Sequence, residues 1–292
     1  MENTWVYRGT EPIKIKQYLH SLGMGHRLFN DIKNGQGEFL VDHRPVRPTT
    51  KILPNQPLTI KVQPEPIDPT VQVSTADLSV VYEDDNWLVV NKPAGVSSVP
   101  GPTQPTDTIL NRVTGYLRQG QSPDQRPHLV TRLDRYTSGL MLIAKHNVAT
   151  SMISPQVQTH QMLKEYLAVV QGRLPETHQL ITSPIARVVG QAQRVVDPDG
   201  QKAETEYWVE ETKGDYSLVR LQLHSGRTHQ IRVHLSSIGY PIVGDALYGG
   251  DCSIVDHQLL QAFSLAFVDP FSEEQRTFEL PMDERFNQIW TN

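Results

Sequence analysis

The sequence predicts an α+β protein: a mixed, largely antiparallel sheet flanked by helices, preceded by a small α+β unit. Three observations carry this. Apolar runs of strand length dominate after residue 76, helical periodicities interrupt them without strict alternation, and the first 63 residues carry their own helix-helix-strand pattern. With 292 residues, one large domain plus a small one is the natural division.

In the leading unit, residues 1–63, Ile15, Tyr18, Leu19 and Leu22 share a helical face that Gly23 and Gly25 interrupt. His26 to Lys33 reads as a second helix, closed by Asn34-Gly35. Glu38–Val41 and Leu58–Val62 suit strands. A linker at 64–75 follows, stiffened by Pro64, Pro66 and Pro69. From 76 to 292, Leu78–Tyr82 and Trp87–Asn91 form a hairpin around Glu83-Asp84-Asp85-Asn86. Helices are expected at Thr106–Gln119, at Val148–Gln161 and from Thr228, as cap, to Ser237. Strands are expected at His128–Val130, Leu140–Ala144, Lys164–Val170 and Ser217–His224.

Composition sets limits. The single Cys252 excludes a disulfide framework and a cysteine-based zinc site and fits a reducing cytoplasm. The N-terminus lacks a secretion-signal pattern, and no apolar stretch approaches membrane-spanning length. A net charge of −5 argues against indiscriminate nucleic-acid coating, although residues 1–75 hold nine Lys/Arg against seven Asp/Glu.

Asp134 stands out chemically. It lies in Thr131-Arg132-Leu133-Asp134-Arg135, between two apolar strand segments, so a carboxylate is carried to the edge of the core. An acid there needs a cation or hydrogen bonds. By itself an Arg-x-Asp more often pins a loop than performs chemistry. Two other segments could reach it. Lys164, Tyr166 and Ala168 share one strand face, and Gly226-Arg227-Thr228-His229-Gln230-Ile231-Arg232-Val233-His234 spans a strand-to-helix junction. Arg232 is the candidate partner, its fixed charge keeping Asp134 ionised. His229 and His234, five apart, are poorly spaced for one metal ion, and no metal is expected. P-loop, dinucleotide and serine-elbow patterns are absent.

Two resemblances follow from these motifs. The helix-helix-strand order, Arg44-Pro45-Val46-Arg47 and the turn Leu53–Leu58 resemble the alpha-L RNA-binding domain. The Arg-Leu-Asp-x-x-Thr-Ser-Gly-Leu block, the Lys-x-Tyr strand and the Gly-Arg-Thr-His-Gln-Ile-Arg-x-His junction resemble the RluA family of RNA pseudouridine synthases. So do Asn91-Lys92-Pro93-Ala94-Gly95, Gly200-x-Lys202-Ala203-x-Thr205-x-Tyr207, Pro241–Asp245 with Tyr248-Gly249, and Leu260-x-Ala262-x-Ser264. Two positions depart from the family pattern: Thr131 stands where His is usual, and Val99-Pro100-Gly101 replaces His-Pro-Gly.

The RluA resemblance implies a cofactor-free isomerisation of uridine to pseudouridine in structured RNA, with ribosomal RNA leading and tRNA open. It makes a monomer the expected state. Asp134 would be the catalytic carboxylate, as nucleophile or base, with Tyr166 against the base and Arg232 pairing with Asp134. RNA contacts are expected from Arg132, Arg135, Arg227 and His229, and from Arg27, Arg44 and Arg47 in the leading unit. A non-catalytic RNA-binding protein and a hydrolase of small nucleosides are the rivals. The Asp–Tyr–Arg trio argues against the first, and the extra RNA-binding-like unit against the second.

Overall fold

A computed structural model describes residues 1–65 and 68–290. Pro66, one of the three linker prolines, lies outside the described residues. The leading unit comprises β1 (Glu2–Val6), β2 (Ile13–Lys14), α1 (Ile15–Ser21), α2 (His26–Asp31), β3 (Gly37–Val41), β4 (Arg44–Val46), β5 (Lys51–Ile52) and β6 (Pro57–Val62). Its sheet runs β1-β6-β3-β4, with every pairing antiparallel. After α2 the chain forms a π turn at Ile32–Gln36 that contains Gly35 at φ 101°, a left-handed backbone that glycine enters at least cost. The expected end of the second helix thus falls at the Asn34-Gly35 signal. β1, β2, β4 and β5 have no counterpart among the expected strands; in β1 only Trp5 is buried.

The larger part follows with β7 (Val80–Glu83), β8 (Trp87–Lys92), α3 (Ile109–Gln119), β9 (His128–Leu129), β10 (Ser138–Ala144), α4 (Asn147–Gln158) and β11 (Leu163–Gln171). β12 (His178–Ile181), β13 (Ile185–Arg187), β14 (Arg194–Val196), β15 (Thr205–Lys213), β16 (Tyr216–Leu223), α5 (Gln230–Ser237), β17 (Leu260–Val268) and β18 (Gln275–Glu279) complete it. The main sheet is ordered β12-β15-β16-β11-β17-β10-β8-β7, with β18 on β17 and β9 on β10. Among the described residues, only β10 and β17 pair in parallel, through Ser138–Gln261 and Gly139–Ala262. The fold is α+β.

β10 is buried at all seven positions, as its continuous apolar run requires of a strand covered on both faces. Gly139, at its start, has φ 112°, and a Cβ there would stand 2.1 Å from the Ala262 carbonyl. Only glycine allows the parallel strand so close. The β7–β8 turn closes because the Asp84 carboxylate accepts from the amides of Asn86 and Trp87.

α3 begins at Ile109, later than the expected Thr106, because Thr108 and Asn111 close a reciprocal cap. Ile109, Val113 and Leu117 then form its buried face. At α5 the start is also displaced. His229, not Thr228, occupies the cap position, with a left-handed backbone (φ 59°) and no capping side chain.

The leading unit does not stand apart. Its core of Ile15, Leu19, Phe29, Phe39 and Ile60 includes Val148 and Met152 from α4. Trp5 stacks on Phe271 at 6.0 Å, and the Gly25 amide donates to Ser151 Oγ at 2.8 Å. The connecting segment is also held, since the Glu65 amide donates to Asp124 and Asn111 Nδ2 donates to the Gln72 carbonyl.

His146 caps α4, its Nδ1 accepting from the Ala149 amide while Nε2 faces Asn86 Oδ1. That pattern requires a neutral ring with its proton on Nε2. Burial first, then the nearby His128 and Lys145, lowers its pKa to about 4 from 6.5. Between these values the unfolded chain binds the proton and the folded chain does not. Stability is therefore full above about pH 6.5 and falls as the pH drops towards 4, by about 3 kcal/mol at the limit. Thermal unfolding should show a smaller loss from pH 7 to 4.5 in His146→Asn, since asparagine caps without titrating. An unchanged acid slope would contradict this role.

Candidate active site

Asp134 lies in the loop between β9 and β10, and its neighbours are locked on both sides. Leu133 exchanges two hydrogen bonds with Ser98: its amide donates to Oγ at 3.0 Å, and Oγ donates to its carbonyl at 2.7 Å. The Arg135 carbonyl accepts from Lys92 Nζ and the Gly95 amide, both at 2.9 Å, and Arg135 Nε returns a bond to the Gly95 carbonyl. Lys92 is wholly buried and also donates to the carbonyls of Pro93 and Val96. Burial lowers its pKa to about 7 against the opposing pull of Asp134. Thr131 acts structurally, its hydroxyl accepting from the Leu142 amide at 2.9 Å. The loop is thereby fixed before any substrate arrives.

The carboxylate itself remains accessible, 27% exposed in its side chain, and meets Arg232 Nη1 at 3.2 Å. Arg232 is held by a second acid. Its Nε and Nη2 both donate to Asp245 at 2.7 Å in a two-bond fork, and its guanidinium lies 4.9 Å over the Tyr248 ring. Burial works against the Arg232 charge, but Asp245 and Asp134 outweigh it and raise its pKa. One arginine thus serves two carboxylates, one sealed and one open.

His229 approaches from the same junction, its Nε2 3.8 Å from Asp134 Oδ2 and its Nδ1 2.9 Å from the Tyr248 hydroxyl. That hydroxyl also accepts from the Arg194 amide. A neutral imidazole that accepts at Nδ1 would carry its proton on Nε2, towards Asp134. Burial lowers the His229 pKa, which favours this neutral form. Its left-handed backbone is stabilised by buried Gln230, whose Oε1 accepts from Ser225 Oγ and the Arg227 amide while Nε2 donates to the Glu204 carbonyl.

Tyr166 lies on β11 beside a register shift against β17 and is 7% exposed. It belongs to the core cluster that contains Leu133 and Ile231. Burial, with the charge of Asp134 adding to it, raises its pKa well above 10, so the phenol stays protonated at neutral pH. Asp134, Tyr136, His229, Arg232, Asp245 and His257 line an open pocket of about 340 Å³.

Of the other residues singled out in the sequence, Arg135 joins this pocket and Arg132 is exposed beside it in the chain. Arg227 instead lines a neighbouring pocket with Arg187 and Arg194, and its Nε donates to the Lys202 carbonyl. Arg27, Arg44 and Arg47 are exposed on the leading unit. Lys92, Asp245 and Tyr248 stand in motifs quoted from the sequence but were given no role there, and Tyr136 and His257 were not singled out. For Asp245 the signal was chemical as well: an acid directly after Pro241-Ile242-Val243-Gly244 needs a cation if it is buried. Among the described residues, no group of three His, Cys, Asp or Glu side chains could hold a metal ion.

A mixed sheet presenting one accessible carboxylate beside a doubly bonded buried arginine defines a class of fold and site, and the comparisons identify it. Residues 86–237 match the model for RNA pseudouridylate synthase. The chain is 37% identical over 276 residues to the uncharacterized RNA pseudouridine synthase YjbO of Bacillus subtilis, covering 94% of this chain and 97% of the other. It is 33% identical to the ribosomal large subunit pseudouridine synthase D of Vibrio vulnificus, over 85% of this chain and 80% of that one. Among solved structures, human RNA pseudouridylate synthase domain containing 1 aligns with a TM-score of 0.60 at 27% identity, over 76% and 89% of the two chains.

The chain belongs to the RNA pseudouridine synthases, in their RluA branch, and is an isomerase acting on RNA.

Proposed function

We propose that this enzyme converts a specific uridine of ribosomal RNA to pseudouridine with Asp134 as its catalytic carboxylate, acting at the ribose as nucleophile or base. The observation that carries this reading is the Asp134–Arg232–Asp245 array at the pocket. Asp245 holds and aims Arg232, whose Nη1 donates to Asp134 Oδ2 and fixes the carboxylate at the pocket. Tyr166, held protonated, supplies or relays the proton that the uracil ring exchanges on rejoining through carbon. The name of the Vibrio vulnificus relative supports the large ribosomal subunit as the target. No described helix is long and apolar enough to cross a membrane, and the working form is proposed to be a cytoplasmic monomer.

Mapping pseudouridine in total RNA from cells with and without the gene tests the substrate. A ribosomal position should be lost. A change confined to tRNA would overturn the ribosomal assignment while leaving the chemistry.

Residues 1–63 are proposed as an alpha-L-like RNA-binding unit packed against the catalytic part, with Arg27, Arg44 and Arg47 contacting phosphates. Deleting this unit would uncover Val148 and Met152, so substitution is the cleaner probe. The triple change Arg27→Ala, Arg44→Ala, Arg47→Ala should weaken RNA binding and flatten the log–log salt dependence by about two to three. An unaltered salt slope would remove these residues from the interface.

A further inference from the structure

The Tyr136 and His257 rings, from loops 121 residues apart, lie face to face with centroids 3.6 Å apart and planes 21° from parallel. Both stand at the pocket that contains Asp134, and His257 is exposed. Among the described residues, neither the Tyr136 hydroxyl nor the His257 imidazole bonds another protein group. The pair therefore presents flat π surface rather than serving a polar network.

Both supports are fixed. Tyr136 follows the Arg135 carbonyl that Lys92 and Gly95 hold, and the Arg135 guanidinium lies 5.1 Å over its ring. His257 is seated against Gly244, where a Cβ would come within 2.3 Å of the His257 carbonyl, one residue from Asp245. Arg135, Tyr136 and His257 form a cation–aromatic–aromatic cluster assembled in advance at the mouth of the site.

RNA is read by stacking unpaired bases on aromatic side chains, and a uridine drawn out of its stack leaves its neighbour with an uncovered face. We propose that Tyr136 and His257 form a platform on which the nucleobase adjacent to the target uridine stacks while the uridine enters beside Asp134. This rests on the proposed function and adds a subsite to it. The flanking base is the group the paired rings fit, because every base carries a π face, while the Arg135 charge beside them suits that nucleotide's phosphate.

The test uses the full chain with Asp134→Asn to block turnover, and a synthetic RNA hairpin carrying the target uridine in its loop. Dissociation constants are compared for the intact RNA and for two versions, abasic on the 5′ or the 3′ side of that uridine. His257→Ala and Tyr136→Ala should each weaken the intact RNA about five- to a hundred-fold. One abasic RNA should show little of that loss, and Tyr136→Phe should retain affinity. Equal losses on all three RNAs, or none on the intact one, would overturn the platform. Unfolding midpoints equal to that of the parent show that the variants are folded, and the exposed His257 provides the variant least coupled to packing. The two readings fail separately: absence of turnover by the unsubstituted chain contradicts the proposed function, whereas a missing base dependence contradicts the platform alone.

Discussion

Asp134→Asn is expected to abolish pseudouridine formation, lowering the single-turnover rate on the order of 10⁴-fold or more. The substitution preserves size and keeps an oxygen facing Arg232. It leaves the Asp245 fork intact, so the arginine stays neutralised and placed. Asp134 is partly exposed, and losing its contribution to the ion pair should cost no more than about 1 kcal/mol of stability. Activity and stability therefore part company. Release of tritium from 5-tritiated uridine in RNA reads the reaction, because the C5 hydrogen leaves when the new carbon–carbon bond forms. A variant that turns over near the parent rate would remove Asp134 from the chemistry.

Arg232→Ala should behave differently, because two carboxylates depend on this arginine. Asp245 is 1% exposed and loses both of its bonds, an uncompensated buried charge that costs about 3–5 kcal/mol. The unfolding midpoint should fall by roughly 10 °C, and activity by at least about a hundred-fold. Removing both partners, Arg232→Ala with Asp245→Ala, should recover part of the stability and none of the activity. That divergence separates the structural from the chemical use of the same side chain. A single variant as stable as the parent would show that Asp245 finds another partner.

Asp134 and Arg232 were legible in the sequence because each stands in a motif whose flanks fix its setting: apolar strands around one, a strand-to-helix junction around the other. Asp245 was harder to assign. Its value comes from a contact with a helix 13 residues earlier, which no periodicity encodes. Tyr136 and His257 meet across 121 residues through two loops, where composition carries no pairing signal. The start of α5 was misplaced because a left-handed histidine has no propensity signature; buried Gln230 stabilises that turn after the chain has folded. β1 escaped notice as an edge strand with a single buried residue. Local pattern reveals elements whose burial follows their own periodicity, and misses those set by a distant neighbour.

The apolar core that the leading unit shares with α4 has a consequence for how a target is chosen. The two parts share Val148, Met152 and the Trp5–Phe271 stack, so changing the span from Arg44 and Arg47 to Asp134 would cost apolar contact. If those arginines hold RNA as proposed, the protein acts as a gauge. An RNA qualifies when its own fold sets a yielding uridine at the gauge's length from a grippable stretch of backbone, and the bending needed to close any difference falls on the RNA.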